Sequence, residues 1–471
     1  MRFNPPRLLI AGTGGDSGKT LVTLGLAAAW RREGVVVAPF KKGPDYIDSA
    51  WLTLAAGRKA RNLDLWMMTA DAVLRSFTSY AVSTGVNLIE GNRGLYDGVD
   101  VHRTNSTATL AKLLASPVVL VVPVVKVTRT AAAFVLGMKQ FDPAVNIAAV
   151  IINRVGTERQ SMVVKRAIIE ETGLPVLGII RKLRSDLLPG RHLGLVTPQE
   201  HTRAAESVAF AAGLARDNID LDRLWEIAHR TSPMESPGRM EHRKTGTRKG
   251  LRIGYFKGSA FTFYYPENVE SLMGLGADLV AVDPLECRDL PDVDALYIGG
   301  GFPETHAVKL TRNDAFLRSV REAAVGGLPI WAECGGLIFL ARSMLWRGDD
   351  YPMAGILPVD VEFSAKPCGH GYQSVEVDAD NPFVERGKIL RGHEFHYSRV
   401  RSGFDLPTAF KVLRGVGLGG GRDGLVRGNV LASYLHLHSL GTPEWALGLV
   451  GAAQKYREMK RRLDDGDNKQ L

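Results

Sequence analysis

The sequence predicts two successive α/β domains, the first built on a doubly wound parallel sheet. Three observations carry this expectation. Short, continuous Val/Ile/Leu-rich runs alternate with helix-period segments, as in strands buried on both faces of a parallel sheet. A stretch rich in Pro, Gly and charge near residue 240, "SPMESPGRMEHRKTGTRKG", divides the pattern in two. The length of 471 residues also exceeds what one hydrophobic core ordinarily serves.

In the first half, "RLLIAG", "VVVAPF", "VNLIEG", "VVLVVPVV" and "NIAAVIIN" read as strands, and "ADAVLRSFTSYAVSTG" as an intervening helix. Ligands of such a sheet gather at the carboxyl ends of its strands. This P-loop domain is expected over residues 1–231, followed by a linker over 232–249. A second α/β domain is expected over 250–460, with strands at "LRIGYF", "ADLVAVD", "ALYIGG" and "LPIWAEC". A β-rich, Gly-rich stretch then runs to about residue 440, and "EWALGLVGAAQKYREMKRRL" reads as a closing helix. Residues 461–471 are expected to form a disordered tail.

The chain is 45% hydrophobic and 23% charged, with a formal net charge of +9. This balance suits anionic ligands such as nucleotides or polycarboxylates. No dense Lys/Arg stripe interleaves with aromatics, so no nucleic-acid partner is expected. Cys287, Cys334 and Cys368 fit neither a CxxC zinc pattern nor a disulfide framework. A reducing cytoplasm is therefore the expected location. The first twelve residues hold no apolar segment of signal-peptide length. The longest apolar run, "LLASPVVLVVPVV", is short and holds two prolines, so no membrane association is expected.

The stretch "GTGGDSGKT", Gly12 to Thr20, joins the first strand to a helix-like run. Its glycines, Gly15 and Gly18 among them, let backbone N–H groups converge on phosphate oxygens. Lys19 would reach the β- and γ-phosphates of ATP, and Thr20 would bind Mg²⁺. The spacing departs from the common P-loop, where a glycine precedes the Gly-Lys pair by five residues. Thr13 stands there, one residue after Gly12. An Mg²⁺–ATP site also needs carboxylates. Asp45 and Asp48 follow the second strand, and Glu90 and Asp97 follow or end the third. Lys41 and Lys42 lie beside them, suited to an anionic substrate or phosphate.

In the second half, "LPIWAECGGLIFLA" places Cys334 between a strand-like and a helix-like run, with Ala332 and Gly336 flanking it. A nucleophile elbow needs such small neighbours, and a helix N-terminus would favour the thiolate. Gly299, Gly300 and Gly301 follow another strand and can aim N–H groups at an oxyanion, with the N–H of Gly335 as second donor. His436 and His438 lie on alternate strand positions, so one of them should face Cys334.

The segments "GTGGDSGKT", "FKKGPDYIDS", "NLDLWMM", "EGNRGLYDG", "INRVG" and "RHLGLV" together resemble the cobyrinate a,c-diamide synthase family. Its N-terminal half is similar to dethiobiotin synthetase, which shares the displaced glycine. The second half resembles type 1 glutamine amidotransferases of the same family, through "AFTFYYPENVESL", "PCGHGYQSVEV" and "RGHEFHYSRV".

The resemblance implies ATP- and glutamine-dependent amidation of tetrapyrrole acetates. Glutamine would be hydrolysed through a thioester and ammonia passed along a protected path to an acyl phosphate. It implies Mg²⁺ and acyl-phosphate roles for Asp45 and Glu90, with Lys42, Asp45, Tyr46 and Asp97 as the substrate and activation set. Asn153 in "INRVG" takes the position expected to read adenine. His436, after "SYL", is the implied base, although His438 stands where the best-known amidotransferases carry a Glu. What orients His436 is left open, as are the roles of His370, His393 and His396.

Corrin-type members usually continue after "GPDYID" with Pro and then Phe-His. This chain reads "SAWLTLAAG", with Trp51 near that site, which predicts an altered pocket and makes sirohaem amidation the alternative. A partitioning-type ATPase with a dead amidotransferase domain is the distant alternative. It would need a signature lysine five residues before Lys19, where Gly14 stands. Expected partners are thus a tetrapyrrole polycarboxylate and L-glutamine, and a homodimer is allowed.

Overall fold

The computed structural model describes residues 2–101, 105–183, 190–191, 194–235, 237–238, 250–401 and 405–467. The chain forms two compact units, Met1–Met240 and Glu241–Leu471.

The first unit holds a seven-stranded, wholly parallel sheet. In spatial order its strands are Arg61–Leu63, Val37–Lys42, Val86–Gly94, Arg7–Gly12, Val118–Pro123, Ile147–Val155 and Val176–Arg181. The five central strands coincide with the five apolar runs of the sequence. Leu8, Ile10, Leu88, Val119, Val121 and Ile151 are completely buried, because helices cover both faces. The two edge strands were not anticipated. Arg61–Leu63 is three residues long, too short to show a period. The helix expected over 70–85 spans Ala70–Tyr80, capped by Thr69, and Ala81 turns extended.

The helix Lys19–Arg32 is almost entirely buried. Its Gly25 abuts the helix Ala204–Asn218, where an added Cβ would lie 2.6 Å from the Ala211 carbonyl oxygen. Gly25→Val should therefore cost about 1–3 kcal/mol through overpacking. A thermal melt that stays unchanged would contradict that contact.

Residues expected to belong to the linker are partly ordered. Met234–Glu235 pairs antiparallel with Arg2–Phe3, and the buried Arg7 guanidinium donates to the carbonyls of Ser232, Leu114 and Ala115. Residues 239–249 of that linker lie outside the described residues.

The second unit carries a ten-stranded mixed sheet. Ala277–Val282, Leu251–Phe256, Ala295–Ile298, Ile330–Glu333 and Val430–Ser433 form its parallel half. Arg422–Arg427, Thr408–Arg414, Gly369–Val377, Ile389–His396 and His436–Leu437 continue it antiparallel. Side chains alternate across the sheet, so Ile330 and Ala332 enter one core and Trp331 the other. A separate four-stranded sheet, within residues 343–400, accounts for part of the β-rich region. The helix Pro443–Asp467 buries Trp445 against Trp331 and continues through 461–467, residues expected to be tail.

No described helix is long and apolar enough to cross a membrane.

Candidate active site

In the first unit, the strand Arg7–Gly12 delivers the glycine loop to the helix at Lys19. The glycines divide by purpose. A Cβ on Gly12 would collide with Ser17, and one on Gly18 with Asn153. Gly18 is also left-handed, with φ of 91°. Nothing lies within 4 Å of a Cβ on Gly14 or Gly15, so these two face open space. The displaced glycine thus keeps the loop's root closed while its crown stays accessible. Lys19 Nζ folds over the loop, donating to Gly14 O at 3.0 Å and Ser17 Oγ at 3.3 Å.

Four charged or polar side chains converge beside it. Thr20 Oγ1 donates to Glu90 Oε1 at 2.7 Å. Lys41 Nζ donates to the same Glu90 oxygen at 2.9 Å and to Asp48 Oδ2 at 2.6 Å. Burial acts to lower Lys41, but Asp48, Glu90 and Asp45 together raise it, so it stays protonated. Glu90 is fully buried, and its Oε2 has no hydrogen-bond partner. A carboxylate oxygen left bare in the interior is costly unless a cation meets it. Hard oxygen donors from Thr20 and Glu90 therefore suit Mg²⁺.

The remaining expected residues take varied places. Asp45 caps the helix Tyr46–Ala56 by accepting from Asp48 N–H at 2.9 Å, and burial, then Asp48, raises its pKa. Tyr46 is the first residue of that helix. Lys42 ends its strand, 5% exposed. Asp97 is exposed and accepts from Gly94 N–H at 2.7 Å, closing the turn.

Asn153, expected to read adenine, braces the loop. Its Nδ2 donates to Ser17 O at 2.9 Å, and its Oδ1 accepts from Arg154 N–H. Trp51 is fully buried and donates to Val196 O at 2.9 Å. It ties its helix to the chain at Val196.

In the second unit, Cys334 sits between the strand Ile330–Glu333 and the helix Gly335–Leu340, with φ of 46° and ψ of −93°. A non-glycine residue at that φ is strained, as nucleophile elbows are. A Cβ on Gly336 would lie 2.6 Å from Ile298 O, which requires the small residue foreseen there. One on Gly335 would lie 3.0 Å from Gly301 N, so the two glycine segments abut. Gly300 leaves room for the imidazole: its Cβ would lie 2.6 Å from His436 Cε1.

The thiolate expected at the helix N-terminus meets an opposing effect. Burial, then Glu304, pushes the Cys334 thiol well up, and the Gly335 N–H offsets only part of this.

His436, the expected base, has a carboxylate neighbour that the sequence reading missed. His436 Nδ1 lies 3.2 Å from Glu333 Oε2, both side chains buried. Glu333 Oε1 accepts from Trp331 Nε1 at 3.2 Å. His438 turns elsewhere, 3.7 Å from the buried Glu267 and packed on Tyr265. His393 stacks on His436, with ring centroids 4.9 Å apart. His396 stacks on Tyr434 and bonds Ser398 O at 2.6 Å. His370 is exposed and stacks on Phe395.

Comparison with known proteins places both units. Residues 8–195 match the CobQ/CobB/MinD/ParA nucleotide binding domain. Residues 252–443 match the CobB/CobQ-like glutamine amidotransferase domain. A cobyrinate a,c-diamide synthase of Magnetococcus marinus is 41% identical, over 95% of this chain and 97% of its own. The chain belongs to the cobyrinate a,c-diamide synthase family. The family's synthase from Archaeoglobus fulgidus is 39% identical over 96% of this chain and 98% of its own, and that from Listeria innocua 36% over 95% and 100%. As a member of this family the chain is a glutamine-dependent carbon–nitrogen ligase with a nucleotide-binding domain that implies use of ATP.

Proposed function

We propose that the enzyme amidates peripheral acetate carboxylates of a tetrapyrrole, with cobyrinate as substrate, through an acyl phosphate. The observation that carries this reading is that relatives named for cobyrinate match across both sites of the chain at once.

In the second unit, His436 takes the Cys334 proton as the sulfur attacks the glutamine side-chain carbonyl. Glu333 holds the imidazole with Nδ1 protonated, leaving Nε2 to accept. The N–H groups around Gly300 and Gly335 receive the oxyanion. Ammonia departs with the proton returned by His436, and water hydrolyses the thioester.

In the first unit, a substrate carboxylate oxygen attacks the γ-phosphorus of ATP, and ADP leaves. Ammonia then attacks the acyl carbon, and phosphate leaves with the carboxylate oxygen. Lys19 and the loop N–H groups stabilise the transferring phosphoryl charge. Thr20, Asp45 and Glu90 would hold Mg²⁺, which when bound neutralises phosphate charge. Lys42, Tyr46 and Asp97 border the acceptor, while Asn153 keeps the loop in shape.

Glu333→Gln should lower glutamine-dependent turnover about 10²–10⁴-fold, as loss of a histidine-orienting carboxylate does. Turnover with ammonium salts should hold. A normal glutaminase rate in that variant would remove Glu333 from the mechanism. For the substrate, the enzyme with ATP, Mg²⁺ and glutamine would be offered cobyrinate or sirohaem, and amides read by mass. Amidation of sirohaem alone would overturn the cobyrinate reading.

A further inference from the structure

Among the described residues, eight non-glycines have left-handed backbone, and three are basic residues at or just past strand ends of the first sheet: Arg93, Lys126 and Arg154. Such conformations cost energy and persist where the surroundings enforce them. Arg93 is held from both sides. Asn92 N–H donates to Thr107 Oγ1 at 3.1 Å, and that hydroxyl returns a 3.1 Å bond to Asn92 O. Gly94 N–H is fixed by Asp97. A glycine at position 93 would relieve the strain, yet the chain carries an exposed arginine.

Lys42 ends the neighbouring strand. The strands are in register, with Lys41 opposite Glu90, and a Cβ on Gly43 would lie 2.9 Å from Asn92 Nδ2. Residues 42–43 and 92–93 therefore abut. Burial lowers Lys42; Arg93 and Lys41 add to this, opposed by Asp64 and Asp97. Lys41 acts on both lysines, but the other charges that act on Lys19 are different ones: Glu90, Asp48 and Asp16. The carboxyl edge of this sheet thus holds two cationic centres. One lies at the phosphate loop, and the mechanism leaves the Arg93 guanidinium of the other unused.

We propose that Arg93, together with Lys42, clamps a substrate carboxylate other than the one being amidated. This rests on the reading of the first unit as a tetrapyrrole-carboxylate site. A guanidinium is suited to the task because it grips a carboxylate with two parallel hydrogen bonds. A polycarboxylate held at a second acid would present the reacting acetate in one register.

Cobyrinate and its fully methyl-esterified form would be titrated into the full-length protein without ATP or glutamine, followed by absorbance. Arg93→Gly and Arg93→Met should each weaken binding of the free acid about 10- to 100-fold. Binding of the ester should be the same in the variants and the wild type. The melting temperature of Arg93→Gly should equal or exceed that of the wild type, which separates lost recognition from lost folding. Free-acid affinity unchanged in Arg93→Gly, or an equal loss for the ester, would overturn the clamp alone. Failure of the wild type to bind either cobyrinate or sirohaem would sink the substrate reading and the clamp with it.

Discussion

Cys334→Ser should abolish glutamine-dependent amidation while amidation from ammonium salts continues. The sulfur is the nucleophile at the elbow, and a φ of 46° sets Cys334 on the strand-to-helix turn, next to the Gly335 that abuts Gly301. Serine fits the same space but presents a far less acidic hydroxyl to His436. Burial already pushes the native thiol up, which disfavours a still weaker acid there. The loss should reach about 10³-fold or more in glutamine-dependent turnover, by the scale of single nucleophile replacements. The ammonia-dependent rate should stay within about twofold, since the phosphate loop lies in the other unit. A folded Cys334→Ser enzyme inactive with both nitrogen sources would refute the two-site scheme.

Lys19→Ala should remove amidation with either nitrogen source and leave the Cys334 chemistry in place. Lys19 Nζ now rests on Gly14 O and Ser17 Oγ, both of the loop itself, from which it can turn to phosphate. A fixed positive charge on the transferring group contributes about 10²–10³-fold or more in such sites. Lys41 cannot replace it, being held by Asp48 and Glu90. Amide formation measured with saturating ammonium chloride is the decisive assay. A variant that keeps more than about a tenth of wild-type rate would show that Lys19 does not act on the phosphoryl group.

Features written in consecutive residues were legible before the structure. The phosphate loop, the elbow around Cys334 and the five buried strands each show in one short window, because local spacing decides them. Contacts between distant windows were not. Glu333 sits beside the nucleophile in sequence, but its role appears only when the short strand His436–Leu437 pairs with Ile389–His396 at the sheet edge. The sequence pattern pointed to position 438 for a carboxylate, and His438 is occupied with Glu267 instead. The bracing by Asn153 and Trp51 was hidden for a related reason. Each is polar at one end, and ligand contact and bracing leave the same trace in a sequence. The bracing partners, Ser17 and Val196, appear only in the fold.

The central claim is that ATP activates a carboxylate before ammonia attacks it. Substrate labelled with ¹⁸O in its carboxylates, turned over with ATP and glutamine, tests this directly. An acyl phosphate requires the attacking carboxylate oxygen to leave with phosphorus, so one labelled oxygen should appear in inorganic phosphate for each amide formed. Amide formation with unlabelled phosphate would contradict the account.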